Sequence, residues 1–231
     1  MCKSFSDNEV VTLQGFRDQL QGVYLAWMDS LDTKYFQGVA MARMFNSSYI
    51  SGGCLPSLWN HELVNDWDFY FADKRAIELL VKYYTGPGID DVVTFDSTYG
   101  KNKGIPIHEP LITNNAITIK NPLGSTIQLV IKYPNTSIKK ITADFDYLHT
   151  TWYWSAKENQ IWISRNILNS IEEKRLIINN QDNWNNKREE KFQGRGWLES
   201  DWRTRPPVSS SFITTWVNNV NPTSLPVGAI T

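Results

Sequence analysis

The sequence predicts an α/β (α+β) protein with a small mixed or antiparallel sheet flanked by helices. Three observations carry this expectation. Residues Asp66-Trp67-Asp68-Phe69-Tyr70-Phe71 alternate as a half-buried strand does. Two β-rich runs, 116–119 and 127–131, bracket a segment containing Asn121-Pro122-Leu123-Gly124 and read as a hairpin. Helix-spaced apolar positions precede and follow these runs.

Taken in order, 8–31 reads as a helix, with Phe16, Leu20, Val23 and Trp27 recurring at short helical steps. A second helix at 35–45 leads into a strand, Tyr49-Ile50-Ser51, and the turn Gly52-Gly53. A third spans 55–63, because Pro56 suits a first helical position. After the alternating strand, Asp73 can cap a helix through Tyr84, since its carboxylate accepts from the free amides of the first turn. Residues 86–110 hold four Gly and three Pro, which predicts a long loop able to act as a lid. A third strand of the second half is expected at 143–149, a helix at 161–178, and a polar helix at 182–197 closed by Gly196. The organisation expected is a helical segment at 1–45, a core at 46–160, a helical segment at 161–205, and an extended or disordered tail at 206–231 poor in charge and rich in Ser, Thr and Asn.

Composition narrows the class. With 41% apolar and 20% charged residues among 231, wholesale disorder is excluded. The 23 basic against 24 acidic side chains leave no global field for a polyanion, so any nucleic acid must meet a local patch. Only Cys2 and Cys54 are present, which argues against a disulfide framework and fits a reducing compartment. No apolar run reaches membrane-spanning length, so a cytoplasmic protein with no membrane partner is expected.

The chemistry concentrates at Asp66 and Asp68. On a strand these two carboxylates share a face and repel one another unless a cation lies between them. Hard oxygen ligands favour Mg²⁺ or Mn²⁺. The plain alternative is an acidic outer face of an edge strand. Upstream, consecutive glycines between a strand and a helix let backbone amides approach phosphate oxygens. A basic strip, Lys187, Arg188, Lys191 and Arg195, recurs at steps of three and four and could face a triphosphate or a polynucleotide, or simply be a solvated mixed-charge helix. Trp152, Trp154 and Trp162 could stack on a base or fill a core. His149 reads as a packed structural residue, and neither His61-Glu62 nor His108 has zinc-ligand spacing.

Strand, Gly-Gly, helix, and Asp-x-Asp on a strand, with 12 positions between Gly53 and Asp66, resemble the polymerase-beta-type nucleotidyltransferase superfamily. The likeness looks closest to small bacteriophage-encoded nucleotidyltransferase-like proteins, through Thr113-Asn114-Asn115-Ala116-Ile117-Thr118, Ile127-Gln128-Leu129-Val130, Phe145-Asp146-Tyr147-Leu148-His149 and Arg195-Gly196-Trp197. This resemblance implies three carboxylates holding two metal ions that orient a nucleoside triphosphate, activate an acceptor hydroxyl and offset charge on pyrophosphate. It implies Asp66, Asp68 and Asp146 as catalytic and metal-binding residues. Asp144 and Gln128 are the other occupants considered for the third position. Ser51, Gly52, Gly53, Lys191 and Arg195 are the residues expected to bind the nucleotide. The function implied is metal-dependent transfer of a nucleoside monophosphate to RNA, a protein such as a host protein, or a small molecule. A catalytically inactive binding module and a virion-associated phage protein are the alternatives, the latter from the uncharged tail.

Overall fold

The computed structural model describes residues 13–32, 36–85, 110–120 and 125–199. Along the chain these form α1 (Leu13–Asp29), α2 (Val39–Ser47), β1 (Ser48–Ser51), α3 (Cys54–Trp59), β2 (Asp66–Phe71), α4 (Lys74–Thr85), β3 (Leu111–Ile112), β4 (Ala116–Lys120) and β5 (Thr126–Val130). The second half adds α5 (Ile138–Ala143), β6 (Tyr153–Ser155), β7 (Gln160–Trp162), α6 (Arg165–Glu172), β8 (Arg175–Leu176), α7 (Asn186–Gln193) and β9 (Leu198–Glu199).

The alternating segment becomes β2, the middle of a seven-stranded sheet ordered β3-β4-β5-β2-β1-β6-β7. Among the described residues of this sheet the β2–β5 pair alone is parallel, so of the mixed or antiparallel sheet expected the mixed one forms. One face buries Ile50, Phe69, Ile117, Ile127, Leu129 and Trp154. Helix α1 packs there, with Trp27 edge-on to Phe69 at 5.2 Å and Tyr24 at 5.9 Å from the same ring. The other face is apolar only at one end, where α5 lays Ile138 and Ile141 against Tyr70 and Tyr153. Its other end carries Asp66 and Asp68. Alternation alone accounts for this division, because successive side chains of a strand leave on opposite faces.

Several elements differ from the sequence expectation. Helix α3 ends at Trp59, and Pro56 is its third residue rather than its first. Residues 143–149 do not form a strand. Helix α5 ends at Ala143, a turn follows, and Leu148–Thr150 is a 3-10 turn. The extended stretch around Tyr147 bridges Ile178 instead of joining the sheet, and Asn179 Nδ2 donates to the carbonyls of Ala143 and Phe145. Residues 161–178 are not one helix either. A hairpin, β6–β7, turns at Asn159, which adopts φ +47 and accepts from Trp154 Nε1 at 3.0 Å. Helix α6 starts only after Ser164, whose hydroxyl accepts from the Ile167 amide. The polar helix is shorter than 182–197, running from an Asn185 cap to Gln193.

Asp73 caps α4 as expected, its Oδ1 accepting from the Arg75 amide at 2.8 Å. Trp152 and Trp154 are core residues. Among the described residues no helix is long and apolar enough to cross a membrane. The expected lid at 86–109, the turn at 121–124, the tail at 206–231, Cys2 and His108 lie outside the described residues.

Candidate functional site

The turn after β1 meets β2 because the two strands pair antiparallel with Ser51 opposite Asp68. Ser51 is fully buried, and its hydroxyl donates to the Trp152 carbonyl at 2.6 Å. That bond straps β1 to the segment entering β6 and uses the hydroxyl's one proton. Gly52 adopts φ +89, and a Cβ built on it would stand 2.8 Å from Asp68 Oδ2. Its backbone therefore lies directly against the Asp68 carboxylate, in a conformation L side chains avoid. Gly53 is ordinary by comparison, with φ −68 and open space around a built Cβ. The Cys54 thiol donates to the Ser51 carbonyl at 3.2 Å, and burial together with the Asp68 charge pushes its pKa up.

Asp66 and Asp68 stand on the sheet face away from α1, both partly buried. Burial first, and the Asp66 charge second, raise the Asp68 carboxyl to about 7, against the lowering pull of Arg188 and Lys191. The parallel register sets Gln128 of β5 beside Asp68, and the antiparallel register sets Thr118 of β4 beside Gln128. Ser51, Asp68, Gln128 and Thr118 thus form one row across four strands, with Asp66 and Thr126 paired one step beyond.

The expected third carboxylate does not join this row. Asp146 sits in the turn after α5, and its side chain is buried. Its Oδ1 accepts from the Tyr147 amide at 3.0 Å, and its Oδ2 lies 3.2 Å from Arg188 Nε. Asp144 is the exposed C-cap of α5, its carbonyl taken by Asn183 Nδ2. Among the described residues no three His, Cys, Asp or Glu side chains converge. The reason is topological. The 143–149 segment pairs with residue 178, so the neighbour of Asp68 in the sheet is Gln128.

The basic strip divides. Arg188 and Lys191 of α7 act on the Asp68 carboxyl, whereas Arg195 turns toward α3, where its Nη1 donates to Ser57 Oγ at 3.4 Å. There Arg195 lines a cavity of about 350 Å³ with Glu62, Leu63 and Asn65, just ahead of β2. Sequence spacing assigned the strip to one face but could not say which turn of the helix meets the acids. A roomier open cleft of about 540 Å³ lies past the other end of β2, and its Arg43 is already paired with Asp73 at 2.5 Å.

His149 is packed, as expected. It stacks on Trp197 at 4.0 Å and meets Phe192 edge-on at 4.6 Å. Burial lowers it to about 3, with the Arg188 charge a smaller cause, so it stays neutral. His61 stands in a left-handed conformation, and Glu62 is paired with Lys174.

A family model described as Gabija anti-defense 2 family protein matches residues 19–174. The chain finds no match among curated proteins. Among solved structures it is similar to the Thermotoga maritima CCA-adding enzyme complexed with tRNA, at 12% identity and TM-score 0.45, over 78% of this chain and 42% of that one. A tRNA-processing enzyme in an apo form gives 16% identity and TM-score 0.46, over 71% and 45%. The Bacillus stearothermophilus CCA-adding enzyme in complex with CTP gives 7% identity and TM-score 0.42, over 71% and 42%. This chain therefore spans less than half the length of each of these three.

Proposed function

The chain belongs to the Gabija anti-defense 2 family, and within that family we propose that it is a divalent-metal-dependent nucleotidyltransferase, moving a nucleoside monophosphate from a triphosphate to an acceptor. The observation that carries this reading is the close approach of Gly52 to the Asp68 carboxylate, where a built Cβ would stand 2.8 Å from Oδ2, with Asp66 two residues earlier on the same strand. A glycine turn held that close to paired carboxylates brings backbone amides within reach of the phosphates whose charge those carboxylates, once metallated, would address. The family name supplies the context: the acceptor, whether RNA, protein or small molecule, is to be sought among components of the defence it denotes.

The donor set fits a hard cation. Asp66 and Asp68 would hold Mg²⁺ or Mn²⁺, and the amide oxygen of Gln128 on the neighbouring strand would be a neutral third ligand. Such an ion, when bound, would act as a Lewis acid toward the transferred phosphoryl group. The chain's own contribution is to hold the Asp68 carboxyl partly protonated near neutrality until a cation would take it. With a carboxyl near 7, cation binding displaces a proton from Asp68 over the neutral range. Arg188 and Lys191 offset negative charge on the same side, and Ser51, through its bond to Trp152, fixes the turn.

A second reading has its own observation. The strand neighbour of Asp68 is Gln128 and not a third carboxylate, which favours a nucleotide-binding module without turnover. Incubation with each labelled triphosphate, Mg²⁺ or Mn²⁺ and a lysate separates the two. Label on a macromolecule, lost in Asp66→Asn and Asp68→Asn, supports transfer. Nucleotide bound at stoichiometry with no label transferred supports the module and overturns the enzyme.

A further inference from the structure

Asp146, which the resemblance implies as a metal ligand, lies off the strands that carry Asp66 and Asp68. Asp146 is 1% exposed, and a buried carboxylate without a partner is costly. One oxygen is satisfied by the Tyr147 amide. The other faces Arg188 Nε at 3.2 Å without hydrogen-bond alignment. Arg188 itself is half-exposed, so the pair joins a fixed anion to a cation that reaches solvent. Because the contact runs through Nε, the Nη1–Nη2 edge of the guanidinium is left for a second anion, and an arginine fork can serve two anions from its two edges.

Around this pair the backbone is anchored. Phe192, on the same helix as Arg188, packs edge-on to Tyr147 at 5.4 Å and to His149 at 4.6 Å. The Asp146 carbonyl accepts from the amides of Asn179 and Asn180. The backbone at Asp146 is therefore held in place, and Arg188 is the member of the pair that reaches solvent. One helical step on, Lys191 also acts on Asp68.

We propose that Asp146 is a positioning residue that holds Arg188 as the polyphosphate-binding arm of the site, with Lys191 as its companion. The ligand class is the polyphosphate of a nucleoside triphosphate. That identity rests on the transferase reading, but the arm itself does not. Coulomb's law gives the diagnostic, since removing a negative charge beside an anion site should strengthen anion binding. A positioning role predicts the reverse.

The test uses the full chain, inorganic tripolyphosphate and Mg²⁺, with affinity read by titration calorimetry. Arg188→Gln should weaken binding about tenfold, the size of one charge-assisted hydrogen bond. Asp146→Asn should weaken it about fivefold, and should add nothing in the Arg188→Gln background, because the effect passes through Arg188. If Asp146→Asn fails to fold, Arg188→Lys reads the same role: it keeps the charge, loses the second edge of the fork, and should cost about fivefold. The proposal is overturned by unchanged or tighter binding in a folded Asp146→Asn, by losses that multiply in the double variant, by unchanged binding in Arg188→Gln or Arg188→Lys, or by no tripolyphosphate binding in the wild type. Intact tripolyphosphate binding without any nucleotidyl transfer would sink the transferase reading and leave this one standing.

Discussion

Gly52 and Gly53 are neighbours with different demands. At Gly52 an alanine must adopt φ +89 and push its Cβ into Asp68 Oδ2, so Gly52→Ala should cost about 1 kcal/mol or more of stability and displace the carboxylate. Nucleotidyl transfer should fall at least about tenfold, the size of a misplaced catalytic group. Gly53→Ala meets neither obstacle, and its stability should stay within about 1 kcal/mol of wild type. Equal activity in the two variants would show that the turn does not serve the site. Asp68 supplies a second residue-scale prediction. Its folded carboxyl, at about 7, lies above the unfolded value, so the native state holds a proton that the unfolded chain has lost over roughly pH 4 to 7. Stability from this group is thus present at low pH and lost as pH rises through 7. Its size is at most about 4 kcal/mol. Asp68→Asn should therefore melt above wild type at pH 8 in chelator, with the gap closing toward pH 4 and Mg²⁺ raising only the wild type. No pH-dependent gap between the two proteins would remove the electrostatic account of this pair.

At the scale of the element, α7 shows how a polar helix is held in place by few contacts. Its sequence is almost wholly charged or amide, yet Phe192 and the following Trp197 enter an aromatic box with Tyr147 and His149. His149 is neutral there because protonation would place an unpaired charge among rings. Its folded value, about 3, is below the unfolded one. The native state therefore binds fewer protons between roughly pH 6.5 and 3, and stability is lost as pH falls through that window, by at most about 5 kcal/mol. His149→Phe keeps the ring and removes the titration. It should flatten the acid limb of a urea midpoint against pH profile while leaving the midpoint at pH 8 within about 1.5 kcal/mol of wild type. A mutant profile that follows wild type below pH 6 would place the acid sensitivity elsewhere. The same box explains why Arg188 and Lys191 face the acids, because seating Phe192 in it fixes the rotation of the helix.

For the whole molecule, α1 is part of the core and not an appendage. Tyr24 and Trp27 cover Phe69, and Phe16 stacks on Trp152 at 5.7 Å. A chain lacking residues 1–32 should lose near-ultraviolet circular dichroism and cooperative melting, since it uncovers the sheet face behind the site. A truncated protein that melts cooperatively would show that the sheet needs no such cover.

What the sequence by itself determined is whatever depends on neighbours along the chain. The alternation at Asp66–Phe71 set a strand and its two faces, Asp73 set the start of α4, and Gly52-Gly53 set a turn between a strand and a helix. These are short-range rules of pleat, cap and turn, legible wherever one residue constrains the next few. Tertiary structure alone decided what meets across the fold. Phe145-Asp146-Tyr147 looks like a strand because it is extended, but extended residues take whichever partner the topology offers, and here that is Ile178. Gln128, and not Asp146, consequently stands beside Asp68, while Asp146 holds Arg188. Spacing put Arg188, Lys191 and Arg195 on one helical strip, but α7 ends at Gln193, so the first two act on Asp68 while Arg195, past the helix end, turns toward Ser57. Register between strands and rotation of a helix about its axis are set by the burial of distant apolar groups, and that is information no local pattern contains.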